Sequence, residues 1–76
     1  MAKYVKTIHG EIIVFPETMK HSEFSHLKPV SAGFIKFFSN GDDNCNCICD
    51  GMSLTLNLKA DKEDSRIAQN QLVRLF

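Results

Sequence analysis

The fold is decided by a predicted β-hairpin in residues 30–58, which read VSAGFIKFFSNGDDNCNCICDGMSLTLNL. Residues 30–39 form a β-branched and aromatic run of the kind that favours a strand. The NGDD cluster at 40–43 is typical of a turn, and residues 45–58 alternate between apolar and polar side chains as a half-buried strand does. The pair Asp50-Gly51 interrupts this alternation, which predicts a bend or bulge in the return strand.

A second hairpin is predicted near the N-terminus. Residues 4–8 and Ile12–Phe15 are rich in the β-branched and aromatic side chains that favour strands. His9-Gly10 lies between them and predicts the turn, because glycine adopts a positive φ without steric cost.

Two helices are predicted outside the hairpins. Residues 17–27 carry a ragged apolar stripe that Pro16 opens and Lys28-Pro29 ends. The last helix is better marked, since Asp61 can cap it and Asp64 occupies the capping-box position. One face of this predicted helix carries Ile67, Ala68, Gln71, Leu72 and Leu75.

The predicted order of elements is ββαββα, an α+β fold in which two antiparallel hairpins form a small sheet packed with two helices. Its 76 residues are expected to form a single domain, 1–76. Both faces of the central strands are apolar, since Ile13 and Phe15 point one way while Ile12 and Val14 point the other. Two short helices on one face would leave the other as an interface in a homo-oligomer. One helix on each face is the alternative.

Composition narrows the classes of function. Nine basic residues balance nine acidic ones, so the chain lacks the positive charge of a general nucleic-acid or membrane binder. No apolar run approaches the roughly 18 residues of a membrane span, and the N-terminus lacks the apolar segment of a signal peptide. We therefore expect a cytoplasmic protein whose three cysteines are reduced.

The cysteines at 45, 47 and 49 are the most conspicuous motif. On an extended strand, Cys45, Cys47 and Cys49 share one face, with neighbouring thiols about 6.6 Å apart. One tetrahedral zinc ion would require the strand to fold back. We expect small buried residues beneath a helix or at an interface, with a metal- or redox-responsive module as the alternative.

Catalytic motifs are not recognised in the sequence. It contains no nucleophile elbow, phosphate-binding glycine loop or HExxH motif. His9, His21 and His26 are interpreted as exposed or capping residues rather than metal ligands. We expect a protein that is not an enzyme and that uses no cofactor and no metal.

Small and hydroxylated residues predict where binding occurs. Ser31, Ala32 and Gly33 are small residues in a bulky strand, and a glycine within a strand often marks the close approach of a ligand or another backbone. Ser53 and Thr55 add hydroxyl groups on the return strand. The predicted ligand- or partner-binding residues are Ser31, Gly33, Ser53, Thr55, His21 and Glu23. Packing beneath a helix is the alternative for this patch, and the turn at 40–43 is the next candidate.

Three blocks of the sequence resemble a family of short uncharacterised proteins encoded by phages and prophages. They are HGEIIVFPE at 9–17, PVSAGF at 29–34, and residues 49–65 with CDGMS at their start and EDS at their end. The sequence departs from the family pattern at Asp50, where an aromatic residue is expected, and at Ala60, where a capping serine is expected. The second departure makes Asp61 the substitute cap.

The resemblance implies a context rather than an activity. It implies a phage-type accessory protein in the host bacterial cytoplasm, and small neutral phage proteins often inhibit host machinery, including host defences. The expected function is a non-enzymatic homo-oligomer that blocks a host protein or sequesters a small signalling molecule such as a nucleotide. The alternatives are the cysteine-based metal- or redox-responsive module and a structural subunit of a larger assembly.

Overall fold

The computed structural model describes residues 1–39 and 45–72. The predicted turn at 40–43 and the predicted helix-face residue Leu75 lie outside the described residues. The elements, in chain order, are β1 (Ala2–Lys6), β2 (Ile12–Phe15), a 3₁₀ helix (His21–Leu27), β3 (Ser31–Ser39), β4 (Cys45–Asp50), β5 (Met52–Ser53), β6 (Leu58–Lys59) and α1 (Asp64–Leu72).

The first four strands form one antiparallel sheet in the order β2-β1-β3-β4. Both predicted hairpins are present, and the α+β fold is confirmed. The first strand ends at Lys6, two residues before the predicted end, because Thr7 begins the turn. Its hydroxyl oxygen accepts the N–H groups of His9 and Glu11 at 3.3 Å each, and Gly10 has the expected positive φ of 86°.

The first helix is shorter and tighter than predicted. Residues 17–18 form a turn, and a 3₁₀ helix occupies His21–Leu27. It begins where the Lys20 N–H donates to the Glu23 carboxylate at 2.8 Å. Lys28 ends it in the left-handed region at φ 53°, directly before Pro29 as predicted. A short 3₁₀ segment is consistent with the ragged apolar pattern, which supports no long amphipathic face.

The return strand breaks at the predicted bend. β4 ends at Asp50, and Gly51 separates it from β5 with a positive φ of 81°. The predicted alternation up to Leu58 therefore does not form one strand. Instead β5 pairs with β6, and the two form a small second sheet. Leu54 lies in the turn between them with 82% of its surface exposed.

Each face of the main sheet has its own cover, so the layered alternative is the arrangement observed. α1 covers one face, where the buried cluster includes Tyr4, Ile35, Cys47, Cys49 and Ala68. The other face buries Val5, Phe15 and Ala32 beneath a second set of apolar residues, which includes Met19, Phe24, Leu56 and Leu58.

The cover on this second face is incomplete. Phe34 is half-buried, whereas Phe38 and Ile48 farther along the sheet are 42% and 46% exposed.

No helix among the described residues is both long and apolar enough to span a membrane.

α1 begins with the predicted cap. The Asp61 carboxylate accepts the Glu63 N–H at 3.3 Å, and the Asp64 carboxylate accepts the Asp61 N–H at 3.0 Å.

Two further side chains of α1 form hydrogen bonds with the outer edge of β4. Ser65 accepts the Cys49 N–H at 2.8 Å and Gln69 accepts the Cys47 N–H at 2.9 Å. These bonds occupy edge groups that would otherwise be available to another strand.

Candidate functional site

A largely apolar concavity lies beside the 3₁₀ helix, on the incompletely covered face of the sheet. We call it the groove, and its volume is about 640 Å³, within the range of small-molecule sites. Strands β1 and β3, the start of the 3₁₀ helix and the β5 hairpin surround it. Its lining residues are Lys3, Lys20, His21, Phe34, Gly51, Met52, Ser53, Leu54 and Thr55.

The groove combines an apolar floor with positive charge. Phe34, Met52 and Leu54 supply apolar surface, while Lys3 and Lys20 supply the charge. No Asp or Glu is among the described residues that line it. The Lys3 ammonium donates to the Met19 carbonyl at 2.9 Å, which holds the Lys3 side chain in place. This arrangement attracts an anion that also carries an apolar part.

His21 forms the inner wall of the groove. The ring is buried, and Nε2 donates to the Gly33 carbonyl at 2.9 Å, because a carbonyl oxygen can only accept. The His21 ring makes T-shaped contacts with the rings of Phe15 and Phe34, with centroids 5.5 and 5.8 Å apart. This bond and these contacts fix the ring, so its first role is to join the 3₁₀ helix to β3.

Ser53 and Thr55 line the groove with hydroxyl groups that are partly engaged. The two hydroxyl oxygens lie 3.3 Å apart, and Ser53 Oγ accepts the Leu56 N–H at 3.2 Å. Ser53 is buried and Thr55 is exposed. Of these two, Thr55 is therefore better placed to meet a ligand.

Ser31 lies away from the groove, on the sheet face that α1 covers. Its hydroxyl donates to the Asp64 carboxylate at 2.7 Å. The same carboxylate oxygen accepts the Tyr4 hydroxyl at 2.5 Å, and the other oxygen lies 2.7 Å from the Lys6 ammonium. Ser31 also borders a separate cavity of about 560 Å³ near β6.

Asp64 is ionised at the centre of this buried network. Burial alone would raise the pKa of Asp64, but the hydrogen bonds from Lys6, Tyr4, Ser31 and the Asp61 N–H outweigh it and hold the pKa below its usual value. Burial, followed by the bond to Asp64, raises the pKa of the Tyr4 phenol far above its usual value. The network therefore joins α1 to β1 and β3.

Gly33 marks the close approach of another backbone. A Cβ atom at this position would overlap the carbonyl oxygen of Asp50 and lie 3.4 Å from the Cβ of Ala60. The strand needs glycine here because β4 turns across it at Asp50. Glu23, the last of the predicted residues, accepts the Lys20 N–H and is exposed outside the groove lining.

The structure thus brings together His21, Ser53 and Thr55 and separates them from Ser31. Sequence reasoning missed Lys3, Lys20 and Phe34 as groove residues. Lys3 lies opposite Phe34 in the β1–β3 register. The alternation of the two strands could therefore have indicated that these two side chains share a face of the sheet. For Lys20 the sequence offered none, because its position depends on how the 3₁₀ helix packs.

Two of the cysteines belong to the core. Cys47 and Cys49 are buried beneath α1, as expected, while the side chain of Cys45 lies outside the described residues. Burial, together with the neighbouring Cys47 thiol, raises the pKa of Cys49 to about 12. At neutral pH Cys49 is a protonated thiol. Within the described residues, no three His, Cys, Asp or Glu side chains are arranged to hold a metal ion.

Comparison with protein families, curated proteins and solved structures finds no match for this chain.

Proposed function

We propose that the protein is a non-enzymatic, phage-type binding protein that acts as a homo-oligomer in the host bacterial cytoplasm. Its binding surface is the groove, and its ligand is a small anion with a flat apolar part, of which a nucleotide is the simplest example. Sequestering such a signalling molecule would inhibit a host response, including a host defence. The phage context comes from the three sequence blocks at 9–17, 29–34 and 49–65.

The observation that carries the ligand class is the combination of Phe34 with Lys3 and Lys20 in one concavity. Aromatic rings bind bases by stacking, and lysine ammonium groups bind phosphate oxygens as point charges. The described lining contains no carboxylate that would repel the phosphate. A neutral apolar ligand would leave the two ammonium groups without a counter-charge.

Two features favour binding over catalysis. His21, the side chain of the groove best suited to general acid–base chemistry, is buried and its Nε2 bonds to a backbone carbonyl. The described thiols lie under α1 on the opposite face of the sheet. A groove whose imidazole is bonded to the backbone, and whose described lining holds no thiol or carboxylate, would hold its ligand without changing it.

Isothermal titration calorimetry would test this proposal with nucleoside monophosphates and cyclic dinucleotides, alongside adenosine and inorganic phosphate. We expect a nucleotide to bind more tightly than either of its parts. Lys20→Ala should weaken binding by about 3–30-fold, the scale of one charge-assisted contact. Lys62→Ala removes an exposed lysine outside the groove and should leave the affinity unchanged.

A second variant tests whether the apolar side of the groove contributes to nucleotide binding. Leu54→Ala removes an exposed side chain from the lining, and Ile8→Ala removes an equally apolar exposed side chain in the β1–β2 turn. We expect weaker nucleotide binding for the first variant only. Failure of every nucleotide to bind at millimolar concentration would overturn the ligand class and leave a host protein as the target. Native mass spectrometry of the purified protein would reveal the bound metal that the cysteine-based alternative requires.

A further inference from the structure

We propose that the exposed end of the sheet is the surface through which two copies of this chain pair face to face. This surface, the dimer patch, consists of Phe34 and Lys36 on β3 with Ile48 and Asp50 on β4. The inference rests on the homo-oligomeric part of the proposed function and assigns it a location and a symmetry.

All four side chains lie on one face of the sheet. Lys36 is paired with Ile48 and Phe34 with Asp50 in the β3–β4 register, and paired residues share a face, as do alternate residues of one strand. This is the face whose cover ends at Phe34. Lys36, Ile48 and Asp50 are exposed, and Phe34 is half-buried.

The patch is complementary to itself in charge. It carries one cation and one anion, and within the described residues neither Lys36 nor Asp50 forms an ion pair in its own chain. In a twofold dimer, any contact from Lys36 to the partner's Asp50 occurs twice. The two charges would then neutralise each other across the interface, which a neutral apolar partner could not achieve.

The β3–β4 register also decides which apolar residues of the two copies meet in the dimer. Same-face neighbours lie about 6.8 Å apart along a strand and roughly 5 Å apart across the pair, so the four residues form a nearly square array. Lys36 and Asp50 occupy one diagonal, and Phe34 and Ile48 occupy the other. A twofold axis that brings Lys36 onto the partner's Asp50 lies along the second diagonal. Phe34 and Ile48 then each pack against their own copy, which buries the apolar part of the patch.

The dimer would also border the ligand site. Phe34 belongs both to the dimer patch and to the lining of the groove. Met52, another groove residue, is 46% exposed. The second copy would therefore stand at the edge of the groove and add a wall to it.

Sedimentation velocity of two single charge variants tests the surface. Lys36→Glu places two pairs of negative charges across the interface, and Asp50→Lys places two pairs of positive charges there. We expect each variant alone to dimerise on the order of tenfold more weakly than the wild type, or worse. An equimolar mixture should recover a heterodimer, because the introduced glutamate of one variant then faces the introduced lysine of the other. The unchanged Asp50 and Lys36 face each other in the same heterodimer. The double variant should also dimerise.

Rescue by mixing distinguishes a contact between two chains from a charge pair within one chain. A charge pair within one chain would be restored in the double variant but not in the mixture, and that result would overturn the proposed surface. Ile48→Asp should produce a monomer, whereas Ile8→Asp, at an exposed site in the β1–β2 turn, should remain a dimer. Circular dichroism would verify that each variant is folded.

The outcomes distinguish the two proposals. A wild type that is monomeric at millimolar concentration overturns both the homo-oligomer and this surface. A wild-type dimer that neither charge variant weakens overturns the surface alone. Nucleotide binding is measured separately by calorimetry, so its failure leaves the dimer patch unaffected.

Discussion

The Lys6 ammonium lies 2.7 Å from the Asp64 carboxylate in the interior of the protein. Lys6 ends β1, and Asp64 begins α1, so this ion pair joins the first strand to the last helix. Asp64 is fully buried and also accepts hydrogen bonds from Tyr4 and Ser31. Among the described side chains of α1, Ala68 is the one buried hydrophobic residue that packs against the sheet. The polar network therefore has a large share in positioning the helix.

Asp64→Asn should destabilise the protein strongly. It keeps the size of the side chain but leaves Lys6 buried beside a neutral amide, and breaking a buried ion pair typically costs about 3–5 kcal/mol. Urea denaturation would measure the free energy of unfolding. Glu63→Gln is the matched control, because the Glu63–Arg66 pair is exposed at 3.6 Å and pairs of this kind contribute about 0–1 kcal/mol. Equal effects of the two substitutions would show that the buried pair does not hold the helix.

The protein should become less stable in acid, because Asp64 is then protonated. The pKa of Asp64 is lower in the folded protein than in the unfolded chain, where a carboxyl titrates near about 3.9. The stabilisation from Asp64 is therefore complete above about pH 5 and is lost as the pH falls through the lower folded pKa. Asp64→Asn should show a shallower acid limb than the wild type when the free energy of unfolding is measured from pH 7 to pH 2. Parallel curves for the two proteins would contradict this prediction.

Gly33→Ala should reduce stability without touching the groove lining. The added methyl group would overlap the Asp50 carbonyl oxygen, and overpacking of this kind costs about 1–3 kcal/mol. Thermal denaturation would measure the loss. Ser22→Ala, at an exposed position of the 3₁₀ helix, provides a control that should change the melting temperature little. An alanine variant as stable as the wild type would mean that β4 can move away from Gly33.

The buried cysteines should resist alkylation in the folded protein. Cys47 and Cys49 lie beneath α1, and burial, together with the neighbouring Cys47 thiol, raises the pKa of Cys49 to about 12. Iodoacetamide at pH 8 should modify both residues rapidly in urea and slowly in buffer, as peptide mass spectrometry would show. Rapid modification in buffer would indicate accessible thiolates and would favour the redox alternative. Asp64→Asn should accelerate the reaction if α1 covers the thiols as described.

The candidate site was only partly accessible to sequence reasoning. His21, Ser53 and Thr55 were predicted together, and all three line the groove. Ser31 was grouped with them, but its hydroxyl points to Asp64 on the opposite face. In the return strand, the apolar residues Ile48, Met52 and Leu54 are exposed, and the strand breaks at Gly51. After that break, the positions of Ser53 and Thr55 in the alternating pattern no longer indicate whether they lie on the same face of the main sheet as Ser31.

The sequence by itself determined the local elements, because their signals act between neighbours. β-branched and aromatic runs specified β2 and β3, and glycines specified the turn at Gly10 and the bend at Gly51. The spacing of Asp61 and Asp64 specified the start of α1. Each of these features depends on backbone sterics or on a hydrogen bond a few residues long.

Only the tertiary structure decided how the two faces of the sheet are covered. Both helical segments are too weakly apolar to indicate a preferred face, so the choice depends on contacts between distant residues. His21 fixes the 3₁₀ helix on one face through the Gly33 carbonyl, and Asp64 fixes α1 on the other through Lys6. Burial of a charge is favourable only where its partners converge. Lys6 and Asp64 lie 58 positions apart in the sequence. No local sequence pattern therefore encodes their contact, which forms only when the chain packs.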